Sequence, residues 1–319
     1  MALVLYFSIS CKAQFAPPAG QPGSTAIFKD SSIFIGWATG CKVVRGYVNI
    51  SDTNIVYSGD NKATYGSDTS AVGKADDSPV SLGDGGYAIL TFDKPITNGP
   101  GFDFAVFENG LSDTFLELAF VEVSSDGVKY FRFPSVSYTQ TETQVSTFGT
   151  LDATKLDRLA GKYRVLYGTP FDLEDLSGTP GLDINKITHV KVIDVVGCIQ
   201  PAFATHDSKG NIVNDPWPTP FNTCGFDLDA VGVLHFAYSN TDQIVSLGPN
   251  PVTDKLTINI LYGNNFKMVI HDLSGKPVWE KDKVNNNETI ELSFLSSGIY
   301  FCTFTLENGY TEVRKIVKP

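Results

Sequence analysis

Carboxylates beside predicted core strands are the residues of this sequence best suited to holding a cation. Glu108 ends a run in which it shares a face with Phe104 and Val106. A buried carboxylate without a partner is costly, and a calcium ion held with a nearby Asp and backbone carbonyls is one suitable partner. Hydrogen bonds from loop amides, or an Arg or Lys at the rim, are the alternative. The pattern predicts a calcium site drawn from Glu108, Asp103, Asp227 and Asp229.

The longest segment without a strand pattern, residues 197–224, brings aromatic and acidic side chains together. Loops of this length in a compact domain are usually functional or disordered. Trp217 stands between two prolines and is either a stacking platform for a ring-shaped ligand or a lid over one end of the fold. The predicted ligand-binding residues are Trp217, Phe221, Asp215 and, from the loop 168–181, Phe171.

No motif of a common hydrolase is present in the sequence. The four histidines lack HExxH spacing, and no GxSxG segment occurs. Pairs of carboxylates such as Glu117 with Glu122 exist, but their spacing in sequence does not give the separation that glycosidases need. We therefore predict no catalytic residues, with a glycan-active hydrolase as the less favoured alternative.

Composition narrows the class of protein further. The 319 residues include 42% hydrophobic residues and carry a net charge of −11, so packed cores are expected and nucleic-acid binding is not. None of the five cysteines has CxxC spacing. A disulfide between Cys198 and Cys224 is one expectation, and buried free thiols are the other.

Short alternating runs separated by turn residues fill the region that must position these groups. Residues 102–107, 116–123 and 130–133 have period two, as do residues 187–196. In residues 116–123, Leu116, Leu118 and Phe120 share one face, whereas Glu117 shares the other with Ala119, Val121 and Val123. One short helix is predicted within residues 151–160, with Asp152 as its N-cap. The fold class predicted is all-β, with antiparallel strands.

The chain begins with an apolar run that reads as an export signal. Residues 1–13 are typical of a secretory signal peptide cut after Ala13, and a lipidated Cys11 is the alternative. Nothing later in the chain is apolar for eighteen residues, so no transmembrane helix is predicted.

Three segments of the large region resemble one class of bacterial surface protein. They are DFAVFEN (103–109), VEVSSDG (121–127) and GFDLDAVGV (225–233), and they resemble proteins with a jelly-roll, galactose-binding-like sandwich. The resemblance covers residues 14–238 and implies binding of a glycan, calcium or a cofactor. Some such proteins are associated with corrinoid uptake, which implies a cobalamin-like ligand and an outer-membrane TonB-dependent receptor as partner.

The last part of the chain carries a second set of motifs. After a predicted linker at residues 239–246 come LGPNP (247–251), VIHDLSGK (269–276), LSSGIY (295–300) and KIVK (315–318). Residues 247–319 resemble the C-terminal sorting domain of the type IX (Por) secretion system of Bacteroidetes. The resemblance implies a small Ig-like sandwich, the secretion machinery as partner, and a role for Lys315 and Lys318 in recognition by it.

These observations predict two all-β units, a large jelly-roll β-sandwich followed by a small Ig-like β-sandwich. The expected location is secreted, at the outer-membrane cell surface. The expected function is capture of a glycan or small cofactor through sandwich loops. A structural or adhesive surface protein without a small-molecule site is the alternative.

Overall fold

The computed structural model describes residues 15–237, 244–261, 266–306 and 310–319. The predicted signal peptide, residues 1–13, and residues 239–243 of the predicted linker lie outside the described residues. Among the helices of the described part, none has the length and apolar character required to cross a bilayer.

Residues 15–237 form a two-sheet structure from strands rich in β-branched and aromatic residues. The strands are β1 (Ile27–Phe28), β2 (Gly36–Trp37), β3 (Gly40–Val44), β4 (Val80–Ser81), β5 (Tyr87–Ile96), β6 (Phe104–Glu108), β7 (Ala119–Ser124), β8 (Phe131–Arg132), β9 (Val136–Ser137), β10 (Leu156–Asp157), β11 (Tyr167–Phe171), β12 (Ile187–Asp194) and β13 (Asp227–Val233). One of the two main sheets has the order β1-β11-β6-β13-β2, with β4 also pairing β13, and the other has the order β3-β5-β12-β7-β8; β9 and β10 form an additional two-stranded sheet. All pairings are antiparallel, which confirms the all-β fold class; the jelly-roll identity stays a prediction.

The main core lies between these sheets. Phe104 and Val106 of β6 meet Val121 and Val123 of β7 in one buried cluster. Leu116, Leu118 and Phe120 belong instead to a second buried cluster, which covers the opposite side of β7. The predicted division of residues 116–123 between two faces is therefore confirmed, and both faces are apolar because loops cover the outer one.

The predicted helix within residues 151–160 is wrong beyond its first turn. Only a 3₁₀ turn forms, at Ala153–Lys155, and Oδ1 of Asp152 accepts a hydrogen bond from the Thr154 amide at 2.9 Å, as expected of an N-cap. The helix stops there because the next two residues pair with β9 as strand β10. The other helical turns of the described residues are Asp68–Ala71 and Leu173–Leu176.

The expected disulfide between Cys198 and Cys224 is wrong, because both side chains are buried free thiols. They belong to different apolar clusters. Cys198 packs with Val196 and Trp217, whereas Cys224 packs with Val48 and Ala63. Burial therefore raises the pKa of the Cys224 thiol above its usual range and keeps it protonated.

The described residues after 243 form a second pair of antiparallel sheets around a separate core. The strands are β14 (Val245–Gly248), β15 (Lys255–Ile260), β16 (Phe266–His271), β17 (Pro277–Val284), β18 (Glu288–Glu291), β19 (Gly298–Thr305) and β20 (Thr311–Lys318). Their orders are β14-β15-β18 and β17-β16-β19-β20. Between β16 and β17, Oδ1 of Asp272 accepts hydrogen bonds from the amides of Ser274 and Lys276, which closes the hairpin turn that the DLSGK segment predicts.

Candidate functional site

A cavity of about 330 Å³ opens at the end of the large sandwich where β6 ends and β13 begins. Its walls come from the segment that follows β6, from the loop that carries Phe148 and from the long loop before β13. The lining divides into an acidic part, Glu117 and Asp227, and an aromatic part, Phe115, Phe148, Phe221 and Tyr65. We call these the acidic floor and the aromatic rim.

The backbone around Glu117 is fixed from two sides. The Leu118 amide donates a hydrogen bond to Oδ2 of Asp215 at 3.1 Å. On the other side lies Gly161, whose φ is +79°, and a Cβ at that position would stand 1.7 Å from the carbonyl oxygen of Glu117. Only glycine tolerates both the left-handed conformation and this approach. Glu117 therefore has little freedom to leave the cavity.

The carboxylate of Glu117 is buried and has no hydrogen-bond donor among the described residues. Glu117 is 8% exposed and lines the cavity. Asp227, the other part of the floor, accepts a hydrogen bond from the hydroxyl of Ser81. Next to the floor lies Glu108, which is 1% exposed. Its Oε2 accepts a hydrogen bond from the Gly110 amide at 2.6 Å, whereas Oε1 has no partner.

These three side chains hold protons more tightly than ordinary carboxyl groups. Burial, and then repulsion from Asp227, raises the pKa of Glu117 and that of Glu108 well above the usual range. Burial raises the pKa of Asp227 to about 7, against the opposing effects of the Ser81 hydroxyl and Arg45. At neutral pH the floor is therefore a partly protonated group of carboxyls.

The aromatic rim is a row of neighbouring rings. The ring centroids of Phe115 and Phe148 are 6.1 Å apart, those of Phe148 and Phe221 are 5.9 Å apart, and Tyr57 meets Phe221 edge-on at 5.9 Å. Phe148 is 70% exposed. A row of rings that is partly open to solvent, in a cavity that also contains acids, can stack on a flat or ring-shaped ligand while the floor contacts its polar groups.

The structure separates the four predicted calcium ligands. Asp227 belongs to the floor and Glu108 lies next to it. Asp103 instead accepts hydrogen bonds from the amides of Gly99 and Leu173, both at 2.7 Å, and from Nδ1 of His235 at 2.8 Å. Asp229 accepts hydrogen bonds from the amides of Asp76 and Asp77, both at 3.2 Å. The described residues contain no group of three or more His, Cys, Asp or Glu side chains placed to hold a metal ion. Asp103 and Asp229 therefore act as anchors for loops, and the predicted four-residue set is not assembled.

Of the four predicted ligand-binding residues, only Phe221 lines the cavity. Trp217 is 8% exposed and packs in an interior cluster, so it presents no free ring face and its role as a platform is wrong. Phe171 is 1% exposed and stacks on Phe104 in the main core, where it is equally unavailable to a ligand. Asp215 is 4% exposed; its Oδ2 holds the Leu118 amide, and it supports Glu117 from behind.

The sequence contained signals for the residues that were missed. Glu117 is the only charged residue on the core-facing side of residues 116–123, where Ala119, Val121 and Val123 are its companions. Phe148 is an isolated large apolar residue within a segment rich in Ser, Thr and Gln. An acid on an apolar face and a ring in a polar loop both point to a site rather than to packing.

The two predicted sorting lysines lie on the last strand, β20. Lys315 is exposed, and Nζ of Lys318 lies 3.5 Å from Oδ1 of Asp254. Lys315 is therefore open to recognition, whereas the side chain of Lys318 is only 11% exposed and lies against Asp254.

Comparison with solved structures finds several distant likenesses. A surface component of the type IX secretion system of Porphyromonas gingivalis, PorZ, is 12% identical over 43% of this chain and 23% of its own, with a TM-score of 0.21. The BSP domain of a biofilm-associated protein is 10% identical over 91% and 53%, with a TM-score of 0.21. Bacteroides uniformis β-glucuronidase 3 is 10% identical over 92% and 35%, with a TM-score of 0.22.

The chain spans about half or less of the length of these three proteins, and likenesses at such TM-scores carry no argument about function. No curated protein matches the chain.

The tail gives the one assignment to a family. Residues 246–319 match the family described as the secretion system C-terminal sorting domain, Por_Secre_tail. The match confirms the resemblance drawn from the motifs of the tail and implies contact with the type IX secretion machinery. The tail, residues 246–319, is therefore a C-terminal sorting domain, and it marks the protein for export to the cell surface.

Proposed function

We propose that this protein captures a ring-bearing small molecule at the cell surface, in the cavity between the acidic floor and the aromatic rim. The observation that carries the proposal is the row Phe115, Phe148 and Phe221, which lines the same cavity as the acids Glu117 and Asp227 and has Phe148 exposed. Stacking on the rim and hydrogen bonding to the floor together provide affinity and orientation.

The size of the cavity favours a saccharide over a larger cofactor. Ligand pockets of drug-sized molecules run from about 300 to 1,000 Å³, and this cavity, at about 330 Å³, stands at the lower end of that range. One or two sugar rings fit such a volume, whereas a corrinoid would contact the rim and remain largely outside. A glycan is therefore the first ligand class, and a cobalamin-like ligand delivered to a TonB-dependent receptor is the second.

A purely structural or adhesive surface protein does not require these features. Burying a carboxyl without a hydrogen-bond donor costs free energy, as does leaving a phenylalanine ring in water. Glu117 incurs the first cost and Phe148 the second, and both residues line the same cavity. The combination favours a ligand that satisfies the acid and covers the ring.

Isothermal titration of the full chain against neutral and charged mono- and disaccharides, and against cobalamin, tests the proposal. Each titration is run with calcium and with a chelator, so that a requirement for calcium becomes visible. Phe148→Ala removes the most exposed ring of the rim, and we expect it to weaken binding about threefold to tenfold, as the loss of one aromatic contact does.

The matched control is Val128→Ala, because Val128 is 84% exposed and lies outside the lining of the cavity. The control should bind as the unaltered protein does. If no compound of the panel releases or takes up heat under either condition, capture of a small molecule is wrong. If a saccharide is cleaved during the titration, the hydrolase alternative replaces it.

A further inference from the structure

We infer that the cavity selects a ligand whose ring carries a protonated amine. The inference rests on the proposed function and specifies the charge of the ligand. The amine would lie against Glu117 and Asp227, and the ring that bears it would lie against Phe148 and Phe221. Amino sugars are the class of saccharide with this chemistry, and they serve as the probe.

The first argument is the sign of the charge in the cavity. Two of the residues that line the cavity are acids, and none of the described lining residues is Lys or Arg. Arg45 lies close enough to Asp227 to affect it, but its guanidinium donates hydrogen bonds to the backbone carbonyls of Tyr65, Gly66 and Ser81. The guanidinium of Arg45 is thus engaged with backbone, and the carboxyls of the floor are left to pair with a cationic ligand.

The second argument is the set of oxygen atoms that nothing satisfies. Oε1 of Glu108, next to the floor, is buried without a partner, and the carboxylate of Glu117, which lines the cavity, accepts no hydrogen bond from a described residue. Buried polar atoms are hydrogen-bonded in the great majority of cases. An ammonium has three donors and no acceptor, so it matches a group of carboxylate oxygens that lacks donors.

The third argument separates an organic cation from a metal ion. A divalent metal needs several oxygen ligands converging on one point, and the described residues contain no such group of three. The floor instead adjoins a row of phenylalanine rings, which attract an ammonium through their faces and pack on the carbon atoms attached to it. Acid and aromatic surface side by side fit a nitrogen cation on a carbon skeleton.

Binding of an ammonium should release protons from the floor. Asp227, Glu108, Asp215 and Asp194 all act on Glu117 through their charge, and together with burial they keep it protonated in the empty cavity. Arg45 and the Ser81 hydroxyl are the groups that act on Asp227 in the opposite direction. An ammonium placed among these acids favours their charged forms, so affinity should rise with pH until the amine itself loses its proton.

The test compares sugars that differ in the substituent on C2, of which only the amine carries a charge. Glucosamine, N-acetylglucosamine and glucose are titrated into the full chain near pH 7.5, in two buffers with different heats of ionisation. We expect glucosamine to bind at least about tenfold more tightly than the two neutral sugars, which corresponds to one charge-assisted hydrogen bond. The difference in heat between the two buffers should show release of protons.

Glu117→Gln retains the shape of the side chain and removes its charge. It should abolish most of the preference for glucosamine while changing the affinity for N-acetylglucosamine less than twofold. Glu142→Gln is the matched control, because Glu142 is exposed and does not line the cavity. A cooperative unfolding transition of each variant, checked before titration, shows that the chain is folded.

The outcomes distinguish the preference for an amine from the proposed capture of a small molecule. Equal binding of the amine and its neutral analogues overturns the preference for a cation and leaves ligand capture standing. Binding that requires calcium and ignores the amine replaces the organic cation by a metal ion. Absence of binding by every sugar and by cobalamin overturns both proposals.

Discussion

Trp217 donates the hydrogen bond of its indole nitrogen to Oδ2 of Asp84, 133 residues earlier in the chain, at 3.0 Å in a buried environment. The same oxygen accepts a hydrogen bond from the Ile50 amide at 2.9 Å. The carboxylate thus joins three segments that are distant in sequence. The long loop before β13 is held at Trp217, which explains how it can present Phe221 to the cavity without a strand of its own.

We predict that Trp217→Phe destabilises the large sandwich by about 1–3 kcal/mol, because Asp84 then loses one of its donors in a buried place. The measurement is urea unfolding of the full chain. Trp37→Phe is the control, since the Trp37 ring contacts Phe34 and Phe107 rather than an acid and should cost less.

Ligand affinity separates this role from that of a binding platform. If Trp217 only holds the loop, Trp217→Phe should bind sugars as the unaltered protein does at temperatures where both are folded. A loss of affinity larger than that of Phe148→Ala, without loss of stability, would restore Trp217 as the ring that contacts the ligand.

Asp103 provides a second test of a sequence-based expectation. It is fully buried and accepts hydrogen bonds from Gly99, Leu173 and His235. We predict that Asp103→Asn lowers the free energy of unfolding by about 1.5–3 kcal/mol. The NH2 group of the new amide faces one of the three hydrogen-bond donors and cannot accept from it, and the remaining hydrogen bonds lose the charge of their acceptor.

Calcium should not change this loss of unfolding free energy, because Asp103 and Glu108 accept hydrogen bonds from different backbone amides and are not placed to share an ion. The unfolding of both proteins is measured with calcium and with a chelator. Stabilisation of the unaltered protein by calcium that disappears in Asp103→Asn would show that Asp103 is a ligand after all.

The raised pKa of Asp227 makes stability depend on pH. Burial raises its pKa from 3.8 to about 7 in the folded chain. Between these values the folded state holds a proton that the unfolded state has lost, so stability falls as the pH rises through this window and levels off above it. At about 1.4 kcal/mol for each pH unit, the total loss is of the order of 4 kcal/mol.

Asp227→Asn stays neutral, so we predict that it matches the unaltered protein near pH 4 and is more stable at pH 8. The comparison is chemical unfolding at three pH values. Asp126→Asn is the control with the opposite expectation. Hydrogen bonds from the amides of Lys129 and Val128 lower the pKa of Asp126, so loss of this carboxylate should reduce stability above about pH 4. A flat profile for the unaltered protein across pH 4–8 would mean that Asp227 is ionised throughout.

Alternation in the sequence was enough to predict the strands and the faces of β7, because period two is a local property. It also placed Glu108 on a core-facing side at a strand end, and Glu108 is buried there. The prediction of a ligand role for Trp217 and Phe171 rested on loop length instead, and Phe171 ends strand β11 with its ring in the main core. Whether a ring in a loop faces water or the interior depends on which distant segment packs on it, and the sequence pattern holds no information on that.

The cavity itself could not be predicted, because its parts come from separate loops. Phe115, Phe148 and Phe221 are 33 and 73 residues apart and meet only through tertiary packing. The tail differs because its motifs are contiguous short strands and turns, such as the turn at Asp272, and a sequence pattern describes such local structure well.

The sorting tail gives the last prediction. Deletion of residues 246–319 should leave the large sandwich folded inside the cell envelope and remove it from the cell surface, because the export signal is lost. Lys315→Ala with Lys318→Ala should reduce surface display. Lys315 is exposed, so its loss should cost little stability, whereas the Lys318 side chain is only 11% exposed and pairs with Asp254, so the unfolding of the double variant is measured alongside. The measurement is the fraction of the protein that added protease reaches on intact cells.

Lys283→Ala is the matched control, because Lys283 is an exposed lysine on β17 of the same domain, away from the last strand. Its surface fraction should equal that of the unaltered protein. Equal losses from Lys283→Ala and from the double variant would mean that the charge of the domain, and not the end of β20, is recognised. Full display of the double variant would leave recognition to the backbone and to the shape of the sheet that β20 completes.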